Sequence, residues 1–269
     1  MRKGVGDSGL AGLRAAVAAL ERGWGTTGET RPDATLPFGL PCLDDHLPGG
    51  GLTLGAVHEI AAGGPEVEHG AAAAAFAAGL LGRLSGPVVW IGPRRDLFVP
   101  GLASMGLFPS RLLMVEARRD ALLVMEEALR HPDLAGVVCE IDGKLDLVAS
   151  RRLQLAAEGC DVLGLVLRRS RRFDDPALRQ PSAAQSRWRV TSLPSAPPLA
   201  HAPDVPGLGP AVWQLELMRC RGAEPATWTV EAPDAQGRLA VAPVLADRPA
   251  APAPARRAVA RRAAGHPHP

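Results

Sequence analysis

The chain has 269 residues, 46% hydrophobic and 22% charged, with a formal net charge of +2. That composition excludes a wholly disordered or collagen-like polypeptide, and no apolar run approaches the roughly 20 residues of a bilayer-spanning helix. Residues 248–269 hold five arginines and no acid, so residues 1–247, with 25 basic against 28 acidic side chains, do not form a broadly basic nucleic-acid binder.

Residues 10–24 have the spacing of a short amphipathic helix, with Leu10, Leu13, Val17, Leu20 and Trp24 on one face. A Gly/Thr-rich linker follows, and three regions are expected: helix and linker over 1–35, a globular domain over 36–246, and a tail over 247–269. Within the domain, strands are predicted at 56–61, 88–91, 112–115, 136–141 and 162–167. Helices are predicted at 70–84, 96–106, 119–130 and 145–158. Continuous apolar strands alternating with helices predict an α/β fold, its mostly parallel sheet covered on both faces. After Arg168 the pattern changes to β-rich segments at 187–193, 212–221 and 227–231, expected as antiparallel strands extending the sheet. Residues 194–210 hold six prolines and read as a loop, and the Ala/Pro/Arg tail cannot bury a core and is expected to be disordered.

A strand, a Gly-rich turn and a helix at 56–84 mark the place where an α/β protein would hold phosphate. A working P-loop is Gly-x-x-x-x-Gly-Lys-Ser/Thr, whose lysine and hydroxyl serve the phosphates and magnesium. The turn here runs from Gly63 to Ala72. Anchored on Gly64, it puts His69 at the second glycine and Gly70 at the lysine. Anchored on Gly70, it puts Ala71 at the lysine. Lys3 and Lys144 are the chain's two lysines, and no serine or threonine lies between Thr53 and Ser85. Glu66 and Glu68 would repel a triphosphate. Each lost charge-assisted contact costs about 1.5–3 kcal/mol, so no cofactor is expected at this degenerate loop of Gly64, His69 and Gly70. The bland alternative is a plain strand–helix connection in an unrelated α/β fold.

The flanks narrow that choice. Phe38-Gly39-Leu40-Pro41-Cys42-Leu43-Asp44, then Gly49-Gly50-Gly51-Leu52 and Gly55-Ala56-Val57-His58-Glu59-Ile60, resemble the approach to the P-loop in the RecA-like recombinase core. Gly64-Pro65-Glu66 is similar to the start of that loop. More narrowly, Ser186-Arg187-Trp188-Arg189-Val190 and Leu215-Glu216-Leu217-Met218-Arg219-Cys220-Arg221-Gly222, with Trp228 downstream, resemble the ImuA family of bacterial inducible mutagenesis proteins. The resemblance implies a RecA-like core covering roughly 200 residues. It also makes absences readable: Gly92-Pro93-Arg94-Arg95 stands where the family has a catalytic glutamate, and no sensor glutamine follows Leu167. Glu140 occupies the Walker-B-like strand end and is expected to be merely solvated.

The resemblance implies a non-enzymatic accessory protein in DNA-damage-induced, error-prone translesion synthesis. Its partners would be an ImuB-like Y-family polymerase homologue, RecA and, indirectly, an error-prone replicative-type DNA polymerase. The rivals are a divergent RecA-like ATPase in DNA repair and a SulA-type cell-division inhibitor. The run Arg168, Arg169, Arg171 and Arg172, with Trp188 near it in the basic segment, falls where recombinases carry a DNA-binding loop; it is a candidate for DNA or partner contact, or a solvated strand end. The helix bearing Leu13, Val17 and Leu20 either docks on a partner or folds back on its own core.

Asp7, Arg14 and Glu21 break up the N-terminal apolar stretches, so no secretory signal is expected and the cytoplasm is the predicted compartment. Four dispersed cysteines and histidines without ligand spacing predict neither a disulfide framework nor a metal site. Trp90 and Trp213 are expected in the core.

Overall fold

The protein is described by a computed structural model covering residues 34–94, 96–170, 175–199, 201–202, 205 and 207–242. The predicted 10–24 helix with Leu13, Val17 and Leu20, and the 247–269 tail, lie outside the described residues. The elements in chain order are β1 (Thr35–Leu36), α1 (Pro41–Asp44), β2 (Leu52–Thr53), β3 (Val57–Ala62), α2 (Glu66–Gly82), β4 (Val88–Gly92), α3 (Val99–Leu102), β5 (Leu112–Glu116), α4 (Ala121–Leu129) and β6 (Gly136–Asp142). They continue with α5 (Leu147–Ala157), β7 (Leu163–Arg169), β8 (Ser186–Leu193), β9 (Val212–Cys220), β10 (Ala226–Glu231) and β11 (Ala240–Val241).

Nine strands form one sheet in the order β11-β10-β9-β8-β3-β7-β6-β4-β5. The six strands from β8 to β5 are parallel to their neighbours, and β9, β10 and β11 add antiparallel pairs. The expected α/β architecture is therefore present, with C-terminal antiparallel strands extending it. β8 belongs to both parts: it runs parallel to β3 and antiparallel to β9.

Alternation along each strand divides the core into two layers. In β4, Val88 and Trp90 face the layer beneath α2, whereas Val89 and Ile91 face the layer beneath α4 and α5. β7 does the same, with Leu163, Leu165 and Leu167 on the α2 side and Val166 on the other. α2 is Ala-rich because both Ala77 and Ala78 are fully buried and the helix lies close on the sheet. The segment before β3 closes the α2 layer. Phe38 stacks on Phe76 and packs at a tilt against Trp188, with ring centroids 6.1 and 5.3 Å apart. The Asp44 carboxylate fixes that approach by accepting from the backbone N–H groups of Phe38, Gly39 and Leu40 at 2.6, 2.8 and 3.1 Å.

A polar chain threads this apolar layer. Trp188 Nε1–H donates to Ser186 Oγ (2.8 Å), which lies 2.6 Å from His58 Nδ1. His58 Nε2 lies 2.8 Å from the Thr53 carbonyl, so Nε2 carries the proton, and Nδ1 accepts from the serine hydroxyl. Burial lowers the His58 pKa from 6.5 to about 4, against the raising effect of the Thr53 hydrogen bond. The unfolded chain thus takes up a proton that the folded chain refuses. Stability from this group is complete above pH 6.5 and declines as pH falls toward 4, by about 3 kcal/mol in all. Urea denaturation between pH 7 and pH 4 checks this: a His58→Gln variant, which can keep both hydrogen bonds without titrating, should lose markedly less stability over that interval than the parent.

Candidate functional site

The carboxyl ends of β3, β6 and β7 open onto the crevice where an α/β sheet of this kind would hold a ligand. Between β3 and α2 lie three residues, Gly63, Gly64 and Pro65, before the helix begins at Glu66. The turn expected from Gly63 to Ala72 is shorter than the sequence suggests, because residues 66–72 have wound into helix. Pro65 presets its φ at −54°, and Glu66 and Glu68 in the first turn favour the positive end of the helix. The Glu66 N–H is already donated to the Ser170 carbonyl at 2.8 Å. Gly63 serves close packing: a Cβ there would lie 1.8 Å from Thr191 Oγ1. His69, in α2, accepts from the Ser192 N–H at 3.2 Å through Nδ1. Gly64, His69 and Gly70 are thus parts of a short turn and its helix, not of a cradle.

A single arginine occupies the polar end of the crevice. Arg169, the last residue of β7, binds Glu66, donates to Asp96 Oδ2 at 3.0 Å and to Glu140 Oε2 at 2.8 Å. Glu140 Oε1 accepts from Trp90 Nε1–H at 2.7 Å, so this carboxylate is buried and engaged, contrary to the expectation of a solvated strand end. Burial pushes the Glu140 pKa up, with Trp90 and Arg169 opposing the shift. Asp96 is held below its ordinary value, chiefly by its hydrogen bond from Arg169. Burial works against the charge of Arg169, but its hydrogen bonds to Glu66 and Asp96 outweigh it and hold the guanidinium charged. One cation faces three carboxylates, and the remaining lining of this cleft of about 420 Å³ is largely apolar, including Ala71, Leu97 and Phe98. These residues do not fit a magnesium–triphosphate: among the described residues none supplies a free cation here, and Arg169 is already paired with carboxylates.

The basic run is divided by the strand it ends. Side chains alternate across the sheet, so Arg168 and Arg169 point to opposite faces. Arg168 is 3% exposed and donates to Glu59 Oε2 at 2.6 Å. Glu59 is fully buried in β3 and also accepts from Arg187 Nη2 at 2.8 Å and from the Ser182 hydroxyl. Burial raises the Glu59 pKa, but the Arg187 and Ser182 hydrogen bonds and both arginine charges bring it below its ordinary value. Trp188 is 1% exposed, inside the aromatic cluster. Arg168 and Trp188 therefore offer no surface to DNA or a partner, and Arg169 is committed to the crevice. Arg171 and Arg172 lie outside the described residues. Trp90 and Trp213 are core residues, as expected.

The family-like segments near the C-terminus also serve the scaffold. Arg219 and Arg221 donate to the carbonyls of Ala184 and Ala183 at 2.7 and 2.8 Å, and Trp228 Nε1–H donates to the Cys42 carbonyl at 3.0 Å. Arg187 and Trp188 alternate along β8, so Arg187 reaches Glu59 while Trp188 enters the opposite layer, and the register shift opposite them is taken up in β9 at Met218. Sequence reasoning missed the Glu59 hub, although a lone acid inside an apolar strand signals a buried partner. Among the described residues no cluster of metal-ligating side chains is present, and no described helix is long and apolar enough to cross a membrane. Replacing Arg169 by Ala should cost about 2–3 kcal/mol at pH 7, because the buried Glu140 and the half-buried Glu66 lose their counter-charge. The penalty should shrink on acidification, since the variant's raised carboxylate pKa values let it take up protons earlier than the parent; denaturation midpoints at pH 7 and pH 5 measure both.

Over 218 residues the chain is 44% identical to Protein ImuA of Caulobacter vibrioides strain NA1000 / CB15N, covering 77% of this chain and 87% of that protein. Protein ImuA of strain ATCC 19089 / CIP 103742 / CB 15 matches with the same identity and coverage. No family model matches the chain. With that identity along most of both sequences, the chain belongs to the ImuA family of inducible mutagenesis proteins.

Proposed function

We propose that this chain is a non-catalytic RecA-like accessory protein in damage-induced, error-prone translesion synthesis in the cytoplasm. It acts by docking to partner proteins: an ImuB-like Y-family polymerase homologue and RecA, and through them an error-prone replicative-type polymerase. The observation that carries this reading is Arg169, ion-paired with Glu66 and Glu140 in the crevice where a RecA-like ATPase would need free positive charge. Without a phosphate-binding loop the scaffold has only its surfaces to offer, and family membership supplies the mutagenesis setting.

Two measurements test the proposal. Equilibrium dialysis with labelled ATP and magnesium should give no saturable binding at micromolar nucleotide, whereas tight binding would reinstate the ATPase reading. Size-exclusion chromatography with purified ImuB-like protein and with RecA should give a stable complex with at least one. Failure with both would end the docking reading even if ATP were not bound.

A further inference from the structure

Beside the Arg169 crevice lies a second cleft of opposite character, about 360 Å³ in volume. It opens at the carboxyl ends of β6, β4 and β5, which are neighbours in the sheet. Each strand releases basic residues into it: Arg94 after β4, Arg118 and Arg119 after β5, and Lys144 after β6. The acids on its wall are Glu140, already bound by Trp90 and Arg169, and the exposed Asp142. Arg118 Nε–H donates to the Pro93 carbonyl at 3.1 Å, which aims the guanidinium while its Nη groups pair with no described residue. Arg119 and Lys144 make no ion pair among the described residues. Arg94 has one weak exposed partner, Asp96 at 3.5 Å, and such pairs are worth about 0–1 kcal/mol.

We infer that this cleft binds the phosphodiester backbone of single-stranded DNA. Four cations from three loops converge on one concave site in a domain whose charge is otherwise slightly negative, so the positive field is local and focused. Three of them are arginines, whose planar forks match phosphate oxygens in pairs. The adjoining crevice shares Glu140 with this cleft and carries Phe98, 74% exposed, which offers a ring for base stacking next to the phosphate track. An acidic peptide fits less well, since the cleft exposes little apolar surface to anchor side chains. The site is independent of the partner-docking reading: either can hold without the other.

Fluorescence anisotropy with a labelled oligo(dT) of about 20 nucleotides tests it on the full chain, where the arginine tail supplies background binding. The Arg118→Ala/Arg119→Ala variant should weaken binding roughly tenfold at about 50 mM salt and lower the log–log salt slope by about 1.4. The charge-matched control Arg130→Ala/Arg151→Ala, on exposed positions of α4's end and α5, should change affinity less than threefold, roughly the scatter of non-specific binding. Lys144→Gln, on a separate loop, should weaken binding in the same direction. Equal losses in cleft and control variants would overturn the inference. So would the absence of oligo(dT) binding by the parent protein, or competition by polyglutamate as effective as competition by unlabelled oligo(dT).

Discussion

Two consecutive arginines at the end of β7 are directed to opposite faces of the sheet, and each is claimed by a carboxylate that precedes it by more than a hundred residues. Arg168 passes to the α4/α5 side and meets Glu59 of β3; Arg169 passes to the α2 side and meets Glu66 at the start of α2. β3 and β7 are already hydrogen-bonded neighbours. One ion pair therefore ties β7 to β3 on one face of the sheet, and the other ties β7 to the start of α2 on the opposite face. The first is deep: Glu59 with Arg168, Arg187 and Ser182 ties β3, β7, β8 and the segment before β8 into one polar knot. Buried pairs of this kind contribute little net stability relative to apolar packing, yet removing one member costs about 3–5 kcal/mol because the other charge is stranded. What they confer is register. β7 and β8 lie on either side of β3, and sliding either strand by one residue would move its arginine to the wrong face.

The Arg169 pair decides the chemistry of the crevice. A phosphate-binding loop works because its backbone donors and its lysine are vacant and turned toward the ligand. Here the first helical N–H is given to Ser170, the turn glycine packs on Thr191, and the one strong cation holds three carboxylates together. The same interactions that secure α2 to the end of β7 remove the vacancy that nucleotide binding requires. The interactions that stabilise this corner of the fold are also the ones that occupy the groups a phosphate would need.

Much of this was legible in the sequence, and the misses share one cause. The apolar runs marked β3, β4, β5, β6 and β7 to within about two residues, because a parallel strand covered on both faces has no polar alternation to confuse it. The run after Leu167 suggested a basic loop, since arginines seldom continue a buried strand; β7 in fact extends to Arg169 because both guanidiniums find carboxylates. Glu66 and Glu68 suggested a loop hostile to phosphate, when acids in that position equally open a helix. In both cases local charge was assigned to solvent, while the partner lay far away in sequence. The reciprocal clue was present in Val57-His58-Glu59-Ile60, where two polar residues inside a core strand require partners from elsewhere.

Glu140 stands on the wall between the two clefts, and its commitments explain why the clefts differ. One of its oxygens is held by Trp90 and the other by Arg169, so its charge is balanced on the crevice side. Arg94, Arg118, Arg119 and Lys144 on the far side consequently share their wall with one acid that is already balanced, Glu140, and one that is exposed, Asp142. Were Arg169 free to meet a phosphate in the crevice, Glu140 would be left to pair with those basic residues and would quench their field. Holding Glu140 on the crevice side thus leaves more of the neighbouring cleft's positive charge unopposed, which is the condition the proposed phosphate contact depends on.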